Sequence, residues 1–263
     1  MFLRIGYKSY EIEFMTRHLV LGNGESRAWF KPSEKKIWSN DVITWGCNAI
    51  YRDGHVDNLV SIDYGIQQEI YESGYHESVQ CWFLDWNPVP AEIADMMLMG
   101  QDISESDIHR TERVGNHTEQ CVIAGTDPTK AHEKDKKDVG IWITYVKDTD
   151  TIKNIESPKN WIAGTTAAHL ACQQGAEEVY LVGFDLNSPD KPLNNIYKGT
   201  DYYFPEDAKG FATVSWANQL GSVFDTFTDT QFYWVDCVKS VFNAFSNVRY
   251  LTKSDLCDRL KIL

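Results

Sequence analysis

The sequence has little positive charge for its size. Its 263 residues contain 25 Lys and Arg against 38 Asp and Glu, a formal net charge of −13. Because binding to nucleic acid requires a basic surface that neutralises phosphates, this balance argues against nucleic acid as a partner, and also against anionic membranes. The chain also lacks an apolar run near the ~20 residues that span a bilayer. Its first residues lack the apolar stretch of a secretory signal, so we expect a cytoplasmic protein.

Paired cysteines are missing as well. The six cysteines are scattered without a C-x-x-C pair, which is typical of reduced, packed thiols rather than of a disulfide framework or a zinc knuckle. His117 and Cys121, with His109 and His132 nearby, have metal-ligating side chains, but a solvated polar loop is the better interpretation of these histidines. We therefore expect no metal site held by the protein alone.

Short apolar runs alternate with amphipathic helical segments along the chain. This alternation predicts an α/β fold: a single Rossmann-like, mostly parallel sheet with helices on both faces and a lid insertion. The predicted strands are His18–Leu21, Val42–Trp45, Leu59–Ile62, Val79–Leu84, Cys121–Ala124, Trp142–Val146, Val179–Val182 and Gln231–Val235. The predicted helices are Ile66–Ser73, Ala91–Met99, Thr165–Gln174, Ser215–Phe227 and Lys253–Leu260.

The length suits one domain over residues 1–263. Residues 1–16 form an N-terminal extension that alternates like an edge strand, and Met15 stays open as an alternative start. The sequence turns polar between 100 and 138, and we expect its charged end, KAHEKDKKD, to be a solvated loop rather than a binding tail. Residues 187–210 follow a buried strand and are rich in Pro, Asn, Asp, Lys and Tyr, so we interpret them as a lid.

The segment LGNGESR is the most informative part of the sequence. An apolar strand runs into Gly22, Asn23 and Gly24, with Ser26 two residues on. Glycines here allow a tight turn and a close approach of the backbone to a ligand, as in nucleotide-phosphate sites at the carboxyl end of a first strand. The third glycine of the dinucleotide fingerprint and the lysine of a P-loop are absent. An ordinary tight turn between strand and helix therefore stays an alternative.

Three further polar side chains follow predicted strands. Asn48 has a donor and an acceptor that can recognise a base or ribose, although it could equally close a turn with its own backbone. Asp63 and Asp185 end the runs LVSID and LVGFD, where carboxylates can face a metal or a ribose. Both could instead cap the segments that follow them.

A turn of small residues precedes the helix AAHLACQQG. Gly164, Thr165 and Thr166 stand at this point, and the free N–H groups and positive dipole end of a helix N-terminus favour a phosphate. An ordinary threonine N-cap is the alternative interpretation.

The segments LGNGESR, GCNAIYRD and IAGTTAAHLACQQGAEEVYLVGFDL resemble three blocks of the bacterial family 42 sialyltransferases. In that family the blocks read Gly-Asn-Gly-Pro-Ser, Cys-Asn-x-x-Tyr, and Ser-Gly followed by a helix and a strand ending in Gly-Ile-Asp-Phe. Similar blocks occur in a wider superfamily that includes archaeal 6-hydroxymethylpterin diphosphokinases and many phage and bacterial proteins. In this chain the blocks stand in the family's order.

The resemblance implies a Rossmann-like domain with a lid that binds CMP-sialic acid. Asn23, Asn48 and the turn at 163–165 would then hold the cytidine nucleotide. Tyr197 and Tyr203 share the six-residue spacing of the family's lid tyrosines, which donate hydrogen bonds to the leaving phosphate. They lie farther from the Gly-Phe-Asp strand end than in the family.

The chain also departs from the family pattern at two positions. The family serine is replaced by Ala163, and the histidine that serves as general base after the lid has no counterpart, since no histidine follows His169. A carboxylate such as Asp185, Asp201 or Glu206 would have to take its place.

These features predict a sialyltransferase-like, nucleotide-dependent transferase that uses a CMP-sugar donor and a glycan acceptor. One alternative is a Mg²⁺-dependent pyrophosphokinase-like enzyme, because phosphoryl-type transfer needs positioning and a metal rather than the histidine. The other is a non-catalytic nucleotide- or glycan-binding relative. A homo-oligomer stays open.

Overall fold

The computed structural model describes residues 16–34, 36–37, 41–84, 111–113, 120–123, 143–146, 148–155, 161–186, 191–210, 212–236 and 241–263. The predicted N-terminal edge strand and the predicted helix at 91–99 lie outside these residues. The strands are β1 Arg17–Leu21, β2 Val42–Cys47, β3 Asn58–Ser61, β4 Gln80–Phe83, β5 Thr111–Arg113, β6 Gln120–Ile123, β7 Ile143–Val146, β8 Ile152–Asn154, β9 Glu178–Val182, β10 Gln231–Val235 and β11 Val248–Leu251. The α-helices described are α1 Tyr64–Ser73, α2 Ala163–Gln173, α3 Val214–Thr226 and α4 Lys253–Leu260.

Within the described residues, eight parallel strands form the main sheet in the order β11-β10-β9-β1-β2-β3-β4-β8. The chain runs outward from β1 to β4 and later returns to the other side of β1 with β9, which pairs with β1 from Arg17↔Glu178 to Leu21↔Val182. The predicted Rossmann-like α/β architecture is confirmed. In such sheets the place where strand order reverses, at the carboxyl ends of β1 and β9, is the usual ligand crevice.

A second, antiparallel sheet corrects one part of the prediction. Strands were expected at 121–124 and 142–146, and both are present as β6 and β7. They pair with each other and with β5 in a separate sheet of order β5-β6-β7 instead of joining the parallel one. Local sequence shows where a strand lies but does not specify which strand becomes its partner, so the pattern alone could not separate the two sheets.

The main sheet is covered on both faces. Leu19 and Leu21 of β1 pack in a cluster with residues of α1 and α4, whereas Val20, between them, packs in a cluster with residues of α2 and α3. This alternation follows from the two-residue period of a strand. No helix of the described residues has the length and apolarity needed to cross a membrane.

Candidate functional site

The loop after β1 packs directly against the turn after β9. Gly22 N–H donates to Val182 O (2.8 Å) and Gly24 N–H to Gly183 O (2.9 Å). A Cβ on Gly22 would lie 2.5 Å from Gly183 O, and Gly183 has a φ of +76°. The glycines are therefore required for the close approach of two protein loops at the switch point.

Asp185 keeps this loop in place. Its Oδ2 accepts a hydrogen bond from Ser26 N–H at 2.8 Å, and a Cβ on Gly24 would lie 2.7 Å from the carboxylate. Asp185 thus binds the backbone of the 3-10 turn Glu25–Arg27. The Ser26 hydroxyl is buried and has no hydrogen-bond partner among the described residues.

Asn23 and a backbone amide converge on one tyrosine oxygen. Asn23 Nδ2 donates to the Tyr203 hydroxyl at 3.3 Å, and Ala49 N–H donates to the same oxygen at 3.4 Å. Burial is the largest cause that raises the pKa of Tyr203, and the charge of Asp63 raises it further. Within the described chain, Asn23 Oδ1 is buried without a hydrogen-bond partner. The first loop, the residue after Asn48 and the 191–210 segment therefore meet at one point.

Asn48 and Asp63 form a pair beside this point. Asn48 has a left-handed backbone (φ +49°), its Oδ1 accepts from Ile62 N–H at 3.3 Å, and its Nδ2 donates to Asp63 Oδ2 at 2.6 Å. Asp63 occupies the N-cap position of α1, yet its side chain accepts no hydrogen bond from the helix. Desolvation raises the pKa of the Asp63 carboxyl, and the bond from Asn48 opposes this only in part.

Tyr197, the other lid tyrosine, has a different environment. Its hydroxyl donates to Asp53 Oδ2 at 2.6 Å and accepts from Arg27 Nη2 at 2.8 Å. Arg27 is fully buried and pairs with Asp53 at 3.2 Å. The Tyr197 and Tyr203 rings lie 5.5 Å apart. Tyr197 thus belongs to a buried ionic cluster, and Tyr203 is the lid tyrosine that reaches Asn23.

Charged residues anchor the 191–210 segment to the body. Arg52 is paired with Glu69 at 2.5 Å, and its other N–H groups donate to Thr200 Oγ1 (2.9 Å) and Asp201 O (3.3 Å). Lys198 is paired with Glu25 at 2.5 Å. Sequence reasoning assigned no role to Arg27, Arg52 or Asp53. A signal was present, because the first two blocks end in these residues, ESR and YRD.

The turn at Gly164 lies on the other side of a phenylalanine ring. A Cβ on Gly164 would lie 3.0 Å from Phe184 Cε1, and one on Gly22 would lie 3.2 Å from Phe184 Cδ2. The helix begins at Ala163 with Ile162 as N-cap and no side-chain cap, so the interpretation of a threonine N-cap is wrong.

The first turn of α2 nevertheless has the groups expected of an anion site. The first N–H groups of a helix have no acceptor within it. The hydroxyls of Thr165 and Thr166, both at most 1% exposed, have no hydrogen-bond partner among the described residues.

Metal-ligating side chains do not cluster in the part of the chain that the structure describes: no group of three or more His, Cys, Asp or Glu could hold an ion there. His109, His117 and His132 lie outside that part.

No family model, curated protein or solved structure matches this chain. The likeness to family 42 sialyltransferases therefore stays a prediction from the sequence.

Proposed function

We propose that this protein is a nucleotide-dependent transferase, sialyltransferase-like, with a CMP-sugar as donor and a glycan as acceptor. The observation that supports this proposal best is the convergence of Asn23 Nδ2 and Ala49 N–H on the Tyr203 oxygen at the carboxyl edge of the sheet. A ligand oxygen that displaced the Tyr203 hydroxyl would accept hydrogen bonds from the same two donors, Asn23 Nδ2 and Ala49 N–H. Asn23 Oδ1, which has no partner in the described chain, would accept from a ribose hydroxyl or a base amine.

The acidity of the chain constrains how a nucleotide phosphate would be held. A net charge of −13 leaves no lysine-rich field, so the phosphate has to rely on backbone N–H groups and neutral hydroxyls. The first turn of α2 with Thr165 and Thr166 provides both kinds of donor. For a glycan acceptor, Tyr202 and Phe204 flank Tyr203 and are 38% and 37% exposed, which offers aromatic surface to a sugar ring.

Isothermal titration with CMP, CDP, ATP and GTP tests the proposal. We expect cytidine nucleotides to bind, and Asn23→Ala to weaken that binding by about tenfold, the loss of one or two hydrogen bonds. Asn218→Ala, which changes an exposed asparagine of α3, is the control and should bind like the wild type. The proposal fails when no nucleotide binds the wild type, or when both variants bind equally well.

A non-catalytic nucleotide-binding relative is the second candidate. It is favoured by Asp185, a carboxylate expected to replace the family's histidine, because that carboxylate is already bonded to Ser26 N–H. Binding of CMP without release of CMP from CMP-sialic acid would support this candidate. Release of AMP from ATP only in the presence of Mg²⁺ would instead support the pyrophosphokinase-like alternative, with the metal arriving on the nucleotide.

A further inference from the structure

We propose that Asp63 is the general base of the transfer reaction, positioned by Asn48. This inference rests on the proposed function, and it assigns the role for which the sequence offers no histidine.

The first reason is that the Asp63 side chain does not cap α1, although Asp63 stands at the N-cap position. Aspartate is among the best N-cap residues, since its carboxylate can accept the N–H groups of the first helical turn. Asp63 stands at the N-cap of α1, with its own carbonyl accepting from Gln67 N–H at 2.9 Å, but its side chain makes no cap bond. The carboxylate is bonded to Asn48 instead, at the edge of the sheet where Tyr203 meets Asn23.

The second reason is the way in which Asn48 holds the carboxylate. The Asn48 oxygen accepts from Ile62 N–H, which orients the amide so that Nδ2 binds one oxygen of Asp63, Oδ2. The other oxygen, Oδ1, accepts no hydrogen bond from the described residues. A base needs this arrangement: one oxygen fixed, the other available to a proton.

The third reason is the charge around Asp63. The two cations that act on the tyrosines of this region are paired with other carboxylates: Arg27, which acts on Tyr197, with Asp53, and Arg52, which acts on Tyr203, with Glu69. Without a cation beside it, a partly buried carboxylate is a stronger base than one in water. Desolvation accordingly raises the pKa of Asp63. The Tyr203 hydroxyl is the other titratable group that interacts electrostatically with it.

The remaining carboxylates suit the role less well. Asp185 is bonded to the Ser26 amide, and Asp201 and Glu206 are exposed on the 191–210 segment. Asp185 is partly buried like Asp63, but its carboxylate holds the backbone of the Glu25–Arg27 turn. Asp63 instead lies beside Asn48 and interacts with Tyr203, the residue that meets Asn23.

In the proposed step, Asp63 Oδ1 takes the proton of an acceptor hydroxyl. A lone pair of that hydroxyl oxygen forms the new bond to the anomeric carbon of the donor. The bond between this carbon and the phosphate oxygen breaks, and its electron pair leaves with CMP. Asp63 then returns the proton to water.

The experiment uses the full chain with CMP-sialic acid as the donor and water or lactose as the acceptor. The release of CMP is the readout. We expect Asp63→Asn to lower the rate of CMP release by about 100-fold or more, the usual contribution of a general base, with the Kd for CMP within about threefold of the wild type. Asp63→Ala should be equally slow, and added formate should restore part of its rate, which a merely structural carboxylate would not allow.

Asp57→Asn is the matched control. Asp57 lies at the opposite end of β3, where its carboxylate accepts from Thr44 N–H at 2.7 Å, and this variant should release CMP at the wild-type rate. The role of Asn48 is tested with Asn48→Ala, which should lower kcat more than it raises KM.

Each outcome bears on the two proposals differently. If the wild type releases CMP and Asp63→Asn does so nearly as fast, Asp63 is not the base and the transferase proposal stands. If the wild type binds CMP but releases none from the donor, the base assignment falls while nucleotide binding remains. If the wild type binds no nucleotide, both proposals fail.

Discussion

At the scale of single residues, Arg27 shows how a buried charge supports the site. Its guanidinium donates to Gly22 O at 2.7 Å, Phe30 O at 3.0 Å, Asp53 at 3.2 Å and Tyr197 at 2.8 Å. Arg27→Met keeps the apolar stem but leaves a carboxylate and two carbonyls without their partner. We expect it to lower the free energy of unfolding by about 3–5 kcal/mol, measured by urea denaturation.

Lys31→Met is the control for Arg27→Met. Lys31 pairs with Glu34 at 3.5 Å, and the two side chains are 49% and 63% exposed. Lys31→Met should therefore lower the free energy of unfolding by less than about 0.5 kcal/mol. A stability of Arg27→Met close to that of Lys31→Met would mean that the buried cluster does not hold the loop.

His18 should make the stability of the folded protein sensitive to acid. It is fully buried in β1 and accepts from Trp45 Nε1 at 2.9 Å, which requires a neutral Nδ1. Desolvation lowers its pKa from 6.5 to about 4, although the charge of Asp57 opposes the shift. The unfolded chain therefore binds a proton at this histidine more readily than the folded chain does. The stability that neutral His18 contributes is complete above pH 6.5 and is lost as the pH falls toward 4. Between pH 7.5 and 5.0 it amounts to about 2 kcal/mol.

Urea unfolding of His18→Gln at the two pH values tests this assignment. Glutamine keeps an acceptor for Trp45 but does not titrate, so the loss of stability on acidification should shrink by about 2 kcal/mol relative to the wild type. His55→Gln, at an exposed histidine, should retain the full loss. An equal pH dependence of all three proteins would refute the role of His18.

At the scale of secondary structure, apolar runs predicted the buried elements well. β10 and α4 have the predicted bounds, Gln231–Val235 and Lys253–Leu260. α4 also has a capping box of Thr252 and Asp255. The strands β5, β8 and β11 were missed. All three are short, and β8 and β11 are partly exposed, so they show neither a long apolar run nor a clear alternation.

The candidate site was predictable only as separate residues. Asn23, Asn48, Asp63 and Tyr203 were each identified from their places in the sequence, and the structure brings them together at the sheet edge. Their pairing was not predictable, because Tyr203 is 180 residues from Asn23 and local patterns contain no information on such contacts. For the same reason the bond from Arg27 to Tyr197, across 170 residues, was missed.

Two glycines with nearly the same φ test the packing between the loops that follow β1 and β9. Gly74 (φ +73°) has nothing within 4 Å of its hypothetical Cβ, whereas that of Gly183 (φ +76°) would lie 2.8 Å from Gly22 O. Gly74→Ala should therefore cost about 1 kcal/mol of unfolding free energy, the conformational penalty alone. Gly183→Ala should cost clearly more, and in nucleotide titrations it should also weaken binding. Equal losses would show that these loops are not tightly packed.

At the scale of the whole molecule, the strand order and the negative charge bear together on ligand binding. The order reverses between β1 and β9, where α/β sheets bind ligands, and Asn23 follows β1 at this reversal. Composition alone argued against polyanion partners, but it does not exclude a small anion that is bound by N–H groups. The chain's charge should then act on such a ligand as a long-range repulsion rather than as an attraction.

This repulsion gives a prediction for the salt dependence of nucleotide affinity. A lysine-based phosphate site loses affinity as salt rises, because ions screen the attraction. Here the net charge of −13 opposes the approach of CMP, so the Kd for CMP should stay constant or decrease as NaCl is raised from about 20 to about 200 mM. Titration calorimetry measures this, with uncharged cytidine as the control whose Kd should not change. Affinity for CMP that weakens steeply over this range, while that for cytidine stays constant, would instead indicate a cationic phosphate site.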